Sequence, residues 1–95
     1  IMNKYETIFI MKDDITEEQR NEIINKIVNY LNTNGKITEK NDLGLKRLAY
    51  EIRKHRQAYY YQIYFEAKST VITELERLYR ITDEILKFIT IRQND

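Results

Sequence analysis

Apolar residues in this chain recur at two different periods, and the order in which those periods alternate restricts the fold more than any other feature. Tyr5 to Lys12 (Y-E-T-I-F-I-M-K) is rich in β-branched and aromatic residues and predicts a strand. Ile8 and Ile10 fall on one face and Phe9 and Met11 on the other, which suits a central strand covered on two sides. Ile23, Ile24, Ile27, Val28 and Leu31 then recur at the helical period. Thr16 and Gln19 have the spacing of a capping box at the start of this helix. Asn34-Gly35 is expected to end it, with the glycine in the left-handed conformation of a C-terminal cap. Asp13, Asp14, Glu17 and Glu18 favour the positive end of the helix, which accounts for this acidic cluster without a catalytic carboxylate pair.

Lys36 to Lys40 and Leu45 to Ile52 read as two parts of one strand, with Gly44 as a bulge or bend between them. Arg53 to Gln57 is expected to form a polar hairpin tip, although no Asn-Gly or Asp-Gly turn signal is present. Ala58 to Ala67 is the strongest strand pattern, with Tyr59, Tyr61, Ile63 and Phe65 on one face and Tyr60, Gln62, Tyr64 and Glu66 on the other. Ser69 or Thr70 caps a second helix whose stripe is Val71, Ile72, Leu75, Leu78 and Tyr79. Ile85 to Ile91 is a final strand, apolar on both faces. The order β-α-β-β-α-β, with two right-handed crossovers flanking a hairpin, predicts an α+β, ferredoxin-like fold. Its four-stranded antiparallel sheet carries both helices on one face. Strands with apolar or aromatic residues on both sides then leave an uncovered sheet face of the kind that docks partners.

Ninety-five residues are expected to form one domain, residues 1–95. Met2 reads as the natural start with Ile1 a remnant ahead of it, and residues 93–95 read as a frayed end. There is no cysteine, which excludes disulfides, thiolate metal sites and cysteine nucleophiles and fits an intracellular location. No apolar run approaches the roughly 20 residues of a membrane span. The net charge is only +1, but its distribution is uneven. Residues 46–56 (K-R-L-A-Y-E-I-R-K-H-R) place Lys46, Arg47, Arg53, Lys54 and Arg56 against Glu51 alone. A nearly neutral chain with one basic segment points to a local anion contact, beside the plainer reading of a solvated basic face.

Catalysis finds no support. His55 is the only histidine, so neither a two-histidine metal site nor a conventional Ser-His-Asp triad can be assembled. Its neighbours Lys54 and Arg56 disfavour its protonated form, and it is expected to be a surface loop residue with no proton-transfer role. Two glycines cannot build a phosphate-cradling loop, and Glu74, Glu76, Asp83 and Glu84 read as solvated charges. No cofactor and no metal is expected. Nucleic-acid binding has more in its favour, because Arg and Lys neutralise phosphates and exposed rings stack on unpaired bases. The five cations of residues 46–56 lie along one hairpin and so share one edge of the domain. Cations also protect an edge strand from pairing with another sheet, and the two roles are compatible. Tyr59 and Tyr61 are expected to pack between sheet and helices.

D-L-G-L-K-R-L-A-Y-E-I-R-K, residues 42–54, followed by Q-A-Y-Y-Y-Q-I-Y-F at 57–65, closely resembles the bacterial small-subunit ribosomal protein S-six family. The opening M-N-K-Y-E, residues 2–6, is similar to that family's start, and the resemblance runs from Met2 to about Gln93. It implies a ferredoxin-like, non-catalytic structural protein located in the cytoplasm, on the ribosome. Such a protein binds the central domain of small-subunit ribosomal RNA together with ribosomal protein S-eighteen, and has neither a membrane nor a small-molecule partner. By the same resemblance Lys46, Arg47, Leu48 and Tyr50 lie on the edge strand and sheet surface used for the protein partner. Lys4 and Arg92 match basic positions near RNA, and antiparallel neighbours are expected to bring them together. Arg53, Lys54 and Arg56 are assigned to RNA on their charge. Glu51, Ala58 and Asn3 depart from the family's frequent proline, glycine and second basic residue, which bears on the hairpin's conformation and on the amino-terminal RNA contact. Two alternatives stand beside this reading. One is an RNA-recognition module stacking single-stranded bases on the third strand; the other is a ferredoxin-like small-molecule enzyme or sensor of the acylphosphatase kind.

Overall fold

A computed structural model describes residues 2–93. The elements follow the expected order: β1 (Asn3–Lys12), α1 (Glu17–Asn34), β2 (Gly35–Ile52), β3 (His55–Ala67), α2 (Thr70–Ile81) and β4 (Ile85–Gln93). The strands form one antiparallel sheet in the order β2-β3-β1-β4. Of the expected frayed end, Gln93 closes β4 opposite Lys4, while residues 94 and 95 lie outside the described residues, as does Ile1.

The capping box at α1 is present, with the Gln19 amide donating to Thr16 Oγ1 at 3.1 Å and the Thr16 amide to Gln19 Oε1 at 2.9 Å. The far end of α1 differs from expectation. Gly35 is not left-handed; its φ of −166° is extended, and it is the first residue of β2. Glycine is required there for another reason, since a Cβ would run into the carbonyl oxygen of Glu66 on β3. Gly44 does take a left-handed φ, +78°, at a shift in the β2–β3 register, as the bulge reading requires.

Directly opposed residues share a face, so the register sorts the sheet. Tyr5, Phe9 and Met11 of β1 and Tyr61, Ile63 and Phe65 of β3 face the helices. They pack with Ile23, Ile24, Ile27, Val28 and Leu31 of α1 and Leu75 and Tyr79 of α2. This places both helices on one face. Within that layer Thr7 is fully buried but satisfied, its Oγ1 lying 2.9 Å from the Tyr79 hydroxyl and 3.0 Å from Thr90 Oγ1. Burial drives the Tyr79 hydroxyl well above the ordinary phenol value, with the Thr7 hydrogen bond pulling weakly the other way.

The opposite face is not bare. Ile10, Leu48 and Ala58 form a second buried cluster with Ile52, Tyr60 and Leu86 packed around it. Leu86 belongs to β4 and Leu48 to β2, which are opposite edges of the sheet. Three strand spacings of about 4.8 Å separate those edges, yet Tyr50 of β2 meets Lys87 of β4, so the far part of the β2–β3 hairpin must curl over the sheet. The register shows how. Arg47 opposes Gln57 and Ile52 opposes His55, which leaves Leu48 to Glu51 bulged out against Arg56. The expected five-residue tip is replaced by a two-residue turn, with Arg53 (φ +46°) and Lys54 (φ +67°) both left-handed. β3 accordingly begins at His55 and not at Ala58.

Candidate nucleic-acid and partner interface

The curled hairpin arm carries most of the functional residues expected from the sequence, and it divides them. Lys46 and Arg47 lie on the regular part of the ladder, opposite Ala58 and Gln57, and both are exposed. Leu48 is 9% exposed and packs with Ile10 and Ala58, so it lies beneath the exposed residues of the edge expected to meet a partner. Its apolar side chain finds the sheet before it finds solvent. Tyr50 is 62% exposed, and its hydroxyl accepts a 2.9 Å hydrogen bond from Lys87 Nζ of β4. That hydrogen bond holds the Lys87 ammonium above its ordinary range. Arg47, Leu48, Ala49, Tyr50, Glu51 and Arg56 together line a shallow recess of about 320 Å³ on the outside of the arm.

At the tip, the cations have different environments. Arg53 Nη2 donates to the carbonyl oxygens of Asp83 and Ile85, each at 3.0 Å, and its Nη1 lies 3.5 Å from Asp83 Oδ1. Lys12 Nζ reaches the same carboxylate at 3.4 Å. Arg56 is open to solvent, its side chain 78% exposed and 3.6 Å from Glu51. Lys54 is exposed as well. His55 is not a surface loop residue. It opens β3 with its side chain largely covered, and its Nδ1 lies 2.7 Å from Asp13 Oδ1. Its flanking cations are therefore accompanied by a carboxylate from the β1–α1 turn, distant in sequence. Asp14 brings a further carboxylate, so that ligand atoms of Asp13, Asp14 and His55 lie within 4.8 Å of one another. Two of these groups, Asp13 and His55, are already taken up in their mutual contact, which ties the β1–α1 turn to the hairpin.

Lys4 and Arg92 occupy adjacent strands but do not converge. Lys4 opposes Gln93 and Arg92 opposes Tyr5, so neighbouring strands carry the two side chains to opposite faces of the sheet. Lys4 shares the open face with Glu66, and Arg92 the helix-bearing face with Tyr5. Both are exposed.

The rest of the open face is acidic and apolar by turns. Glu6, Tyr64 and Glu39 form one row across β1, β3 and β2, and Ile8, Gln62 and Asn41 the next. Gln62 Nε2 donates to Glu6 Oε2 at 2.5 Å and Asn41 Nδ2 to Gln62 Oε1 at 3.1 Å. Burial, and then the carboxylates of Glu6 and Glu39, hold the Tyr64 hydroxyl above its ordinary value. Nearer the arm, Ile8, Ile10, Tyr60, Lys87, Phe88 and Ile89 line a cleft of about 310 Å³. On the helix side Tyr61 is buried and Tyr59 half-buried, the latter with the Arg20 guanidinium 4.0 Å from its ring centroid, as the packing reading of these two tyrosines requires. Among the described residues no helix is long and apolar enough to cross a membrane.

Residues 4–92 match the family described as Ribosomal protein S6. The small ribosomal subunit protein bS6 of Helicobacter acinonychis is 47% identical over 95 residues, covering 96% of this chain and 65% of that protein. Its counterpart in Nitratiruptor is 42% identical and is covered to 72% of its length. The chain thus spans about 65% of the length of the Helicobacter relatives it matches. The crystal structure of 30S ribosomal protein S6 from Thermotoga maritima superposes with a TM-score of 0.93 at 32% identity, covering 98% of this chain and 89% of that one. A second protein from the same organism, described as uncharacterized, shares the fold alone, with a TM-score of 0.66 at 12% identity.

Proposed function

The chain belongs to the ribosomal protein S6 family, and on that premise we propose that it is a structural, non-catalytic constituent of the small ribosomal subunit. In this role it binds the central domain of the small-subunit ribosomal RNA together with ribosomal protein S-eighteen. The observation that carries the reading is the family match over residues 4–92, which takes in both helices and nearly all of the sheet. The geometry supports a division of labour. Lys54 and Arg56 at the exposed tip, with Lys4 and Arg92 at the other end of the sheet, suit phosphate oxygens. Lys46, Arg47 and Tyr50 suit a protein partner seated along the outside of the arm, with Leu48 supporting it from beneath.

Base stacking on β3 is disfavoured. Tyr64 on the open face is flanked by Glu6 and Glu39, whose charge repels phosphate, and Gln62 is already bonded to Glu6. A phosphate-binding enzyme is disfavoured too, because the turn after β1 presents Asp13 and Asp14 where cations or glycines are needed. The test is binding to a folded central-domain RNA fragment and to an unstructured RNA, with and without purified S-eighteen, across a salt series. The expected result is weak binding alone and strong, salt-sensitive binding to the folded fragment with the partner. Equal affinity for both RNAs would favour the stacking module instead.

A further inference from the structure

Arg53 stands apart from the cations beside it. Its Nη2 is shared between two backbone carbonyls of the α2–β4 turn, and its charge faces a carboxylate that Lys12 also approaches. A phosphate would have to displace two hydrogen bonds and overcome the Asp83 charge to claim this guanidinium. Arg56, by contrast, is exposed over most of its side chain and, among the described residues, pairs with Glu51 at 3.6 Å. The Arg53 contacts also span the fold. They join the hairpin tip to the start of β4, which lies at the far edge of the sheet from β2. Two other ties run in parallel, from Tyr50 to Lys87 and from His55 to Asp13. Neither backbone turn residue relaxes into an unstrained conformation, since Arg53 and Lys54 both hold positive φ.

We infer that Arg53 is a positioning residue, which clips the β2–β3 hairpin arm across the sheet and so presets the partner edge and the Arg56 phosphate contact, and is not itself a phosphate ligand. A clipped arm spends less conformational entropy on binding than a free one. Arg53 then affects affinity through the arm's order, while Arg56 affects it through charge. This inference rests on the RNA- and partner-binding reading above, but part of its test does not.

The experiment compares the wild type with Arg53→Met and Arg56→Met in the full chain. Binding to the central-domain RNA fragment in the presence of S-eighteen is measured across salt. Arg56→Met is expected to reduce the slope of log affinity against log salt by about 1, the signature of one lost phosphate contact. Arg53→Met is expected to leave that slope unchanged and weaken binding about tenfold, the scale of a lost charged hydrogen bond. Hydrogen exchange on the free protein reads the clip without RNA: Arg53→Met should speed exchange across residues 47–57, and Arg56→Met should not. A slope that falls equally in both variants overturns the inference, as does unchanged exchange in Arg53→Met. If the wild type bound no RNA, the functional reading would fail, and the exchange result would still decide the role of Arg53.

Discussion

Gly35 shows how a single residue can be anticipated correctly and explained wrongly. A glycine after a helix suggests a left-handed cap, yet this one is extended and is needed because β3 passes too close for a Cβ. Gly35→Ala should therefore cost about 1–3 kcal/mol by overpacking. Urea denaturation checks this; an unchanged or raised midpoint would mean that the β3 backbone gives way easily. The clash was not legible in the sequence because it depends on a residue more than thirty positions away. The buried side of β1 was legible, since period-two alternation alone assigns Phe9 and Met11 to one face. The Tyr79 hydroxyl leads to a second residue-level expectation. Burial raises its ionisation above the ordinary value, whereas the unfolded phenol ionises at about 10. Above that pH the unfolded state binds fewer protons than the folded one, so stability falls as pH rises. Tyr79→Phe should show a smaller alkaline loss of stability than the wild type. An equal loss in both proteins would contradict this assignment.

At the scale of elements, the β2–β3 hairpin is where sequence and structure part. Its strands and the Gly44 bulge follow from local pattern, but its turn does not, because Arg-Lys carries none of the residues that favour two successive left-handed conformations. The curl of the arm was equally hidden. It depends on Leu48 joining the Ile10 cluster, on Tyr50 meeting Lys87 and on Arg53 meeting backbone carbonyls, none of which is near in sequence. Lys54→Gly should raise stability by roughly 1 kcal/mol, by removing a left-handed side-chain penalty, and urea midpoints measure it directly. A fall in the midpoint would mean that the Lys54 side chain makes stabilising contacts in the folded state. Arg47→Glu should leave the urea midpoint near that of the wild type while weakening co-assembly with S-eighteen. If that variant assembled normally, the partner edge would lie elsewhere.

For the molecule as a whole, the two hydrophobic periods predicted the β-α-β-β-α-β order and the placement of both helices on one sheet face. The candidate site was only partly legible. The basic stretch 46–56 read as one edge, but folding separates it into an exposed ladder segment, a buried leucine, a clipped arginine and a free-standing tip. Lys4 and Arg92 were expected to converge and instead emerge on opposite faces, because one position of register reverses a side chain's direction. The result is a nearly neutral molecule whose cations lie mainly at its hairpin and strand ends, away from the acidic centre of the open face. Such a distribution suits a protein wedged between folded RNA and a partner better than one that coats single strands.

The most direct measurement is in vitro assembly of small-subunit particles from RNA and purified proteins, with this chain labelled and S-eighteen present or omitted. The account predicts that the chain sediments with the particle when S-eighteen is present and largely stays behind when it is omitted, with retention falling as salt rises. Equal recovery with and without the partner, or none in either case, would contradict it.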